Sequence, residues 1–254
     1  MKLISVCIPT YEMGGVGHVF LKQSLDILCD QNFKDFDVVI SDSSKDDKIK
    51  NLCDSYKGKL EINYFRNKGS TGASSNINNS IKNATGKLIR ILCQDDFLYG
   101  NNSLDIIAKN FDLNKDNWLV TACIHTKDNK NFFKPFYPKW NNKIHLKNTI
   151  GAPSILTIKN ENPLFFDENL TWLLDCDYYK RCYDKYGLPK IVNDTTTAIR
   201  LSEHQLTNTV ATLKLRRYEY EKVLKRYEIG ISYWYYKIIN VLKYPIQKIK
   251  LILI

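Results

Sequence analysis

The sequence has no long apolar run and no closely spaced cysteine pair, and these absences exclude several classes of protein. No stretch of about 18 uncharged apolar residues occurs, so the sequence predicts no membrane-spanning helix. The apolar run at the N-terminus, residues 3–8, ends at Pro9 and is too short for a signal peptide. The seven cysteines are scattered singly, without a CxxC pair, which argues against a zinc site or a disulfide framework and for reduced thiols in the cytoplasm.

Acidic residues are fewer than basic ones, and most of the imbalance lies at one end of the chain. The net charge is +10, and residues 213–254 carry +7 of it, with ten Lys or Arg against three Glu. Residues 1–212 carry only +3 and contain no basic cluster, which speaks against nucleic-acid binding. The length of 254 residues and the hydrophobic fraction of 44% suit one large globular domain with a small appendage. We therefore predict a main domain over 1–212 and a basic tail over 213–254.

The first hundred residues alternate between strand-like and helix-like patterns. Segments rich in aliphatic and β-branched residues predict buried strands at 3–8, 36–41, 60–65 and 88–93. Helical patterns separate them at about 19–30, 46–56 and 73–84. This alternation predicts an α/β domain with a mostly parallel, doubly wound sheet. Later in the chain the pattern is less regular, and the aromatic, basic stretch at 132–140 is predicted to be a loop over the mouth of a site.

Two adjacent carboxylates, Asp95 and Asp96, follow the fourth predicted strand. Ligands of open α/β sheets collect outside the carboxyl ends of the strands, and paired hard oxygen ligands there suit Mg²⁺ or Mn²⁺ carrying a nucleotide diphosphate. For an isolated pair, the alternative is an acidic turn that only closes the strand. Three further segments favour a site, namely IPTYE after the first strand, ISDSSKDD after the second and NKGSTGASSN before the third helix.

Together with the strand that ends in QDD, these segments resemble the inverting family 2 glycosyltransferases with the GT-A fold, of the bacterial surface-polysaccharide (O-antigen or capsule) type. The resemblance covers residues 3–98. It implies a Rossmann-like GT-A domain, with a nucleotide-binding half at 1–100 and an acceptor-binding half at 101–212. The implied reaction moves a hexose or N-acetylhexosamine from a UDP-sugar to a lipid-linked oligosaccharide. A non-catalytic sugar-nucleotide or glycan-binding protein on the same fold is the alternative.

The resemblance implies which residues bind the sugar nucleotide. The implied positions are Pro9, Thr10, Tyr11, Glu12, Asp42, Asn67, Gly72, Asn76, Gln94 and Asp95. The ring of Tyr11 would stack on the nucleobase, and Asp42 would accept the imide N–H of uracil. Simpler readings remain for both, namely packing of Tyr11 on the sheet and an Asx-turn or N-cap at Asp42. Around Gly72, small residues and a helix N-terminus would let the backbone approach an anion, although an ordinary loop is equally compatible.

The metal signature of the family, usually DxD, corresponds here to the segment that ends in Asp95 and Asp96. Asp95 matches the residue that contacts ribose or metal, and Asp96 matches the direct ligand of Mn²⁺ or Mg²⁺. Because Cys93 stands where the fuller signature has an Asp, we expect weak cation binding without the nucleotide. His204, in RLSEHQLTN, resembles a residue that closes over the diphosphate and reaches the metal, and a structural His is the alternative.

An inverting transfer also needs a carboxylate that takes the proton from the acceptor hydroxyl. The segment WLLDCDYYKR resembles the ED-type segment of the family, so Asp175 is the implied general base and Asp177 the second choice. Arg181 follows Asp177 by one helical turn and is predicted to pair with it. A carboxylate favoured only by the helix dipole is the alternative. Trp172 is a candidate for stacking on an acceptor sugar, or else a core residue.

The tail intersperses aromatic and aliphatic residues with Lys and Arg at helical spacing. Such a basic amphipathic segment suits a helix in the headgroup region of an anionic leaflet. Packing on the main domain or on a partner subunit, as in a homodimer, is the alternative. A membrane position fits an acceptor built on a polyprenyl diphosphate lipid. We therefore expect a cytoplasmic protein, peripheral on the inner face of the bacterial cytoplasmic membrane.

Overall fold

The computed structural model describes residues 1–70, 72–203, 205 and 210–240. His204 and the last part of the tail, residues 241–254, therefore lie outside the described residues. The described residues form one nine-stranded sheet that has helices on both faces. None of the described helices has both the length and the apolar composition that crossing a membrane requires.

The first half alternates strands and helices as the sequence predicts. Its elements are β1 (Ile4–Thr10), α1 (Gly17–Cys29), β2 (Phe36–Asp42), α2 (Lys48–Ser55), β3 (Ile62–Arg66), α3 (Ala73–Lys82) and β4 (Leu88–Ile91). The four strands pair in parallel in the order β3-β2-β1-β4. The predicted parallel, doubly wound arrangement is confirmed for this half of the domain.

The second half continues the same sheet with strands of mixed direction. Its elements are β5 (Phe97–Leu98), α4 (Ser103–Asn110), β6 (Trp118–Thr126), β7 (Phe132–Phe136), β8 (Leu156–Lys159), α5 (Leu174–Tyr186), β9 (Lys190–Arg200) and α6 (Leu213–Tyr227). β8 pairs antiparallel with both β4 and β6, and β9 pairs parallel with β6. Because the strand direction reverses twice between β4 and β6, β6 and β9 run in the same direction as β1–β4.

This topology brings distant parts of the chain to one edge of the sheet. The carboxyl ends of β1, β2, β4 and β9 all lie at that edge. The antiparallel strand β8 begins there, directly after a 3₁₀ turn over Pro153–Ile155. Polar side chains that follow β4, precede β8 or end β9 can therefore meet, although they lie about 50 to 100 residues apart in the chain.

The stretch at 132–140 departs from its predicted loop. Phe132–Phe136 form β7, which pairs antiparallel with β6. The ring of Phe132 packs edge-on against Tyr99, with 5.0 Å between the ring centroids. The prediction of a loop over a site mouth is wrong for these residues, because their aromatic side chains pack against the rim of the sheet and a strand edge was open to pair with them.

Two hydrophobic clusters lie on opposite faces of the sheet. α1, α2 and α4 pack on one face, where Val38 and Ile40 of β2 point, and α3, α5 and α6 pack on the other, where Val39 points. α6 contributes Val223, which is fully buried, to the second cluster. Packing on the main domain, the alternative considered for the tail, is therefore present in α6.

α3 buries polar side chains that connect the site to its surroundings. Asn76 donates to the carbonyl oxygen of Thr10 over 2.8 Å and accepts from the Ser41 hydroxyl over 2.6 Å. Asn78 donates to the carbonyl oxygen of Phe166 and accepts from its N–H. Because these amides have partners, their burial is tolerated. α3 thereby joins the ends of β1 and β2 to the irregular segment that precedes α5.

Candidate active site

A cleft of about 380 Å³ opens at the carboxyl edge of the sheet. The segments after β1 and β4 and the N-terminus of α3 form one wall, and residues 152–153 and the start of α5 form the other. The predicted site residues that line it are Pro9, Tyr11, Gly72, Asn76, Gln94, Asp95, Asp96 and Asp175. Trp172, the candidate for acceptor stacking, lines it as well. The structure thus brings predicted residues from both halves of the domain into one site.

Other predicted residues lie away from the lining of this cleft, and these are Thr10, Glu12, Asp42, Asn67 and Asp177. Thr10 is buried, and its hydroxyl donates to the carbonyl oxygen of Ser41 over 3.2 Å. The amide of Asn67 bonds within its own loop and to the hydroxyl of Ser43. The backbone carbonyl of Glu12 accepts the N–H of Gly17 at the start of α1. These residues support the loops around the cleft.

Asp42 is fully buried at the end of β2, and its carboxylate already has several partners. Oδ2 accepts from the Tyr64 hydroxyl over 2.6 Å and lies 3.2 Å from the Arg66 guanidinium. Oδ1 accepts the N–H of Ser44 over 2.8 Å, which is the Asx-turn considered as the alternative. Ser43, the residue between them, does line the cleft. Asp42 is fully buried and lies outside the lining of the cleft, so contact with a uracil ring would require movement of the residues that cover it.

Asp96 is held on both sides by residues from the second half of the domain. It is 3% exposed, and its Oδ2 accepts from the Ser154 hydroxyl over 2.5 Å. Its Oδ1 accepts the backbone N–H of Arg200 over 3.0 Å, and the Arg200 guanidinium donates to the carbonyl oxygen of Asp95 over 2.8 Å. Burial raises the pKa of both carboxyls, and the charge of Asp95 raises the pKa of Asp96 further, whereas Arg200 acts in the opposite direction.

Ser154 and Arg200 are absent from the predicted residues, although they fix the acidic pair. A signal for Arg200 is present in the sequence, because it ends a long β-branched strand four residues before His204. Its guanidinium also lies 4.3 Å from the centre of the Phe20 ring, so it is anchored to α1 as well. Ser154 has no comparable signal, because its contact depends on the antiparallel course of β8.

The acidic pair fits part of a divalent-cation site. Two neighbouring carboxyls whose pKa values are raised by burial are stabilised in their ionised form when a cation binds between them. Within the described residues, no cluster of three or more His, Cys, Asp or Glu is arranged to hold a metal ion. The pair therefore suits a hard cation that takes its remaining oxygen ligands from a bound substrate or from water.

Gln94 connects the acidic pair to Tyr11 within one wall of the cleft. Its Oε1 accepts the N–H of Tyr11 over 2.9 Å. Its Nε2 is buried and has no hydrogen-bond partner in the described part of the chain. This nitrogen packs against Gly17, where an added Cβ would lie 2.7 Å from it, so the Gln94 side chain fixes the backbone at the end of β1 against the start of α1.

Asp175 lies in the first turn of α5 and borders the cleft opposite the acidic pair. Its Oδ2 accepts from the Asn148 amide over 2.6 Å, and its Oδ1 accepts the N–H of Cys176 over 2.7 Å. Burial raises the pKa of Asp175 to about 6, although these hydrogen bonds act in the opposite direction. A carboxylate with a pKa slightly below neutral is ionised at physiological pH and still basic enough to accept a proton.

Asp177 lies two residues further along α5 and has a different environment. It is fully buried, and its Oδ2 accepts from Arg181 over 2.8 Å, so the predicted ion pair is present. Its Oδ1 accepts from Arg226 over 2.5 Å and from the Tyr227 hydroxyl over 2.7 Å, both in α6. With these partners, the carboxylate joins α5 to α6 and does not reach the cleft.

A sheet of this topology that carries an acidic pair after a parallel strand has the architecture of a GT-A-type domain. Sequence comparison then gives the family. The family description Glycosyl transferase family 2 matches residues 5–166, more than half of the chain, and the chain belongs to this family.

Curated relatives resemble the chain over part of their length. An uncharacterized glycosyltransferase of Methanocaldococcus jannaschii is 28% identical over 192 residues, which cover 71% of this chain and 64% of the relative. A GalNAc(5)-diNAcBac-PP-undecaprenol beta-1,3-glucosyltransferase of Campylobacter jejuni is 30% identical over 100 residues, which cover 39% of this chain and 31% of the relative. The matched region therefore spans less than two thirds of either relative.

Solved structures share the fold. S. aureus TarS 1–349 in complex with UDP-GlcNAc superposes with a TM-score of 0.65 at 17% identity, covering 88% of this chain and 66% of TarS. The mannosyltransferase PcManGT from Pyrobaculum calidifontis, in complex with GDP-Man and Mn²⁺, superposes with a TM-score of 0.60 at 14% identity, covering 92% of this chain and 67% of that one. The predicted GT-A fold is confirmed.

The two carboxylates of α5 should differ in their effect on stability. We expect Asp177→Asn to lower the free energy of unfolding by about 2 kcal/mol, because it leaves partly buried Arg181 without its counter-charge and removes one of the two carboxylate partners of Arg226. Asp175 has a raised pKa in the folded state, so its ionised form costs stability above that pKa. We expect Asp175→Asn to change the free energy of unfolding by less than about 1 kcal/mol at pH of about 7.5. Urea unfolding measures the free energy of both variants. A larger loss of stability in Asp175→Asn than in Asp177→Asn would contradict the environments described for the two carboxylates.

Proposed function

We propose that this protein is an inverting glycosyltransferase that moves a hexose or N-acetylhexosamine from a UDP-sugar to a lipid-linked oligosaccharide in bacterial surface polysaccharide synthesis. The observation that carries the proposal is the cleft in which Asp95 and Asp96 face Asp175. Membership of glycosyl transferase family 2 supports the class of reaction. The UDP-GlcNAc bound by the similar TarS structure supports a UDP-sugar, and the GDP-Man of the archaeal structure makes GDP-sugars the donors to test against it.

In this proposal, the nucleotide lies on the wall formed by the first half. The Tyr11 ring stacks on the base, and Gln94, whose Oε1 accepts the N–H of Tyr11, holds the backbone of Tyr11 in place. Gly72 is the N-cap of α3 and makes no side-chain cap, so the first N–H groups of this helix suit the diphosphate. Asp42 acts through the shape of the loop after β2, because Tyr64 and Arg66 occupy its carboxylate.

We further propose that Asp95 and Asp96 hold Mn²⁺ or Mg²⁺ together with the diphosphate oxygens, and His204 remains a candidate for a further ligand. When bound, the cation neutralises the charge of the departing diphosphate. Ser154 and the N–H of Arg200 hold both oxygens of Asp96 in place, so its carboxylate keeps one orientation. A ligand with a fixed orientation holds the cation, and with it the departing diphosphate, in one position for the reaction.

Asp175 is the general base in this proposal. The acceptor hydroxyl forms a bond to the anomeric carbon while the bond to the diphosphate oxygen breaks, and the hydroxyl proton passes to the Asp175 carboxylate. The Asn148 amide, which donates to Oδ2, keeps the carboxylate oriented. Asp177 was the second choice, and its partners Arg181 and Arg226 support a role in joining helices instead.

Replacement of Asp175 tests its role in the reaction. We expect Asp175→Asn to lower turnover by about 10²- to 10⁴-fold, the usual contribution of a general base, while the affinity for UDP stays within about twofold of wild type. In the wild type, kcat/KM should fall about tenfold per pH unit below the pKa of about 6, because the base must be ionised. Release of UDP from UDP-sugars, with a lipid-linked acceptor, measures both.

Asp184→Asn is the matched control, because Asp184 lies exposed on the same helix and pairs with Lys180. Unchanged turnover in Asp175→Asn would contradict the assignment of the base. A wild-type protein that binds UDP tightly and releases none from any UDP-sugar would favour the alternative, a sugar-nucleotide-binding protein on the same fold.

We also propose a membrane surface as a partner, at the cytoplasmic face of the bacterial membrane. The described end of the tail, residues 230–240, is helical. Ile231, Trp234, Tyr235 and Ile238 follow the i, i+3, i+4, i+7 spacing of one helix face and are 57–90% exposed. Apolar and aromatic side chains on one face, in a tail with a net charge of +7, suit the interface of an anionic bilayer. The undecaprenol in the name of the Campylobacter jejuni relative supports a lipid-linked acceptor.

Glu228 joins this helix to the domain. It is 6% exposed and accepts hydrogen bonds from Lys143, His145 and Ser232, each within 2.8 Å. The helix therefore leaves the domain from a fixed point. In this proposal, residues 1–212 are the catalytic domain and 213–254 the tail, of which α6 packs on the domain and the following helix faces the membrane.

Vesicle binding tests the membrane partner. We expect the protein to sediment with vesicles of phosphatidylglycerol more than with those of phosphatidylcholine, and added salt to weaken this binding. The triple variant Ile231→Ser, Trp234→Ser, Ile238→Ser should bind at least about tenfold more weakly, because it removes most of the exposed apolar area. The control is Val19→Ser, an exposed apolar residue of α1. Absence of vesicle binding, with dimers that the triple variant abolishes, would assign this face to a homodimer instead.

A further inference from the structure

The acceptor-side wall of the cleft is an irregular segment, residues 164–173, that runs into α5. Thr171 and Trp172 of this segment line the cleft, and Asp175 follows in the first turn of the helix. The first N–H groups of a helix have no partner within the helix and need an external acceptor. Leu173, the N-cap residue of α5, provides no side-chain cap. The segment therefore depends on another part of the chain for its position.

Glu219 of α6 supplies an acceptor for the backbone directly before this helix, up to and including the N-cap residue Leu173. Its side chain is 1% exposed, and Oε1 accepts the N–H of Thr171 over 2.7 Å. Oε2 accepts the N–H of Trp172 over 2.8 Å and the N–H of Leu173 over 2.9 Å. One carboxylate thus receives hydrogen bonds from three successive N–H groups at the positive end of a helix, an arrangement that stabilises a buried negative charge.

Two further contacts fix the same segment. The guanidinium of Arg216, one turn before Glu219 in α6, lies 5.5 Å from the centre of the Trp172 ring. From the opposite side, the Ser74 hydroxyl of α3 donates to the carbonyl oxygen of Leu170 over 2.7 Å. α6 therefore contacts both the backbone and the ring of Trp172. The donor wall is built from the ends of β1 and β4 and from α3, so of these contacts only that of Ser74 reaches it, whereas Glu219 and Arg216 contact the acceptor side alone.

We propose that Glu219 is a positioning residue of the transfer reaction, which holds Trp172 and the start of α5 so that a sugar ring of a glycan acceptor lies against Trp172 with its hydroxyl at Asp175. This inference rests on the proposed function. Glu219 touches neither substrate nor the reacting atoms, and it acts through the three N–H groups that it binds. α6, in the basic tail by sequence, is in this proposal part of the acceptor site.

The inference separates binding of the donor from turnover. Replacing the Glu219 carboxylate loosens the acceptor wall and leaves the donor wall in place. Binding of UDP should therefore survive a change that impairs transfer. If Glu219 served only the general stability of the fold, its substitution would lower UDP binding and turnover together, in parallel with the melting temperature.

Three variants test this proposal. Glu219→Gln keeps the size of the side chain but places an N–H₂ group among three N–H donors. Glu219→Asp keeps the charge on a shorter side chain and serves as the conservative variant. Glu221→Gln is the matched control, because Glu221 lies on the same helix and pairs with Lys225 and Lys237, away from the wall.

Hydrogen–deuterium exchange gives a readout that needs no substrate. In Glu219→Gln, the amides of 171–173 should exchange at least about tenfold faster than in wild type, while those of β1 and β2 stay unchanged. Calorimetry should give a UDP affinity within about twofold of wild type, and kcat/KM for the acceptor should fall at least about tenfold. For Glu219→Asp, the exchange rate at 171–173 and kcat/KM for the acceptor should lie between those of wild type and Glu219→Gln. If Glu219→Gln does not fold, the same comparison is made with Glu219→Asp.

Two results would overturn the inference. One is unchanged exchange at 171–173 in Glu219→Gln, and the other is a parallel loss of UDP binding and turnover. Failure of the proposed function is a separate outcome. In that case the wild type would release no UDP from any UDP-sugar, while the exchange measurement would still show whether Glu219 holds the wall.

Discussion

The cleft depends on two hydrogen bonds to the carboxylate of Asp96. Ser154, in the turn before β8, donates one of them, and Arg200, the last residue of β9, donates the other. Ser154 and Arg200 can reach Asp96 because β8 runs antiparallel between β4 and β6, which places its start and the end of β9 at the same edge. Burial raises the pKa of this carboxyl, whereas the hydrogen bonds from Ser154 and Arg200 act in the opposite direction. A buried carboxylate with a raised pKa, held in one orientation at a cleft, is typical of a functional site.

The opposite wall is held by polar contacts of a different kind. The segment before α5 has no strand or helix of its own, so side chains from α3 and α6 satisfy its backbone groups. Asp177 adds a second connection between α5 and α6 through Arg226 and Tyr227. The buried carboxylates Asp177 and Glu219 each accept several hydrogen bonds behind the wall, and Asp175 lies in front of it, at the cleft.

The sequence predicts much of the first half, because the evidence for it is local. Apolar runs mark β1, β2 and β4, and polar residues at strand ends mark the edge where ligands bind. Contacts between distant residues leave no such pattern. Ser154, Arg200 and Glu219 reach their partners across 46–104 residues, and β7 depends on pairing with β6. A sequence also does not show whether a carboxylate lies in ion pairs behind the cleft, as Asp42 and Asp177 do, or lines the cleft, as Asp95 and Asp175 do.

The central claim is that the cleft binds a nucleotide diphosphate through a divalent cation at Asp95 and Asp96. Calorimetric titration with UDP, with and without Mn²⁺, tests it most directly, with GDP as the competing nucleotide. We predict UDP binding that requires Mn²⁺ and weakens at least about tenfold in Asp96→Asn, whereas Asp184→Asn binds as wild type does. UDP binding that is equally tight without Mn²⁺ and in Asp96→Asn, or no binding of either nucleotide under any condition, would contradict the account.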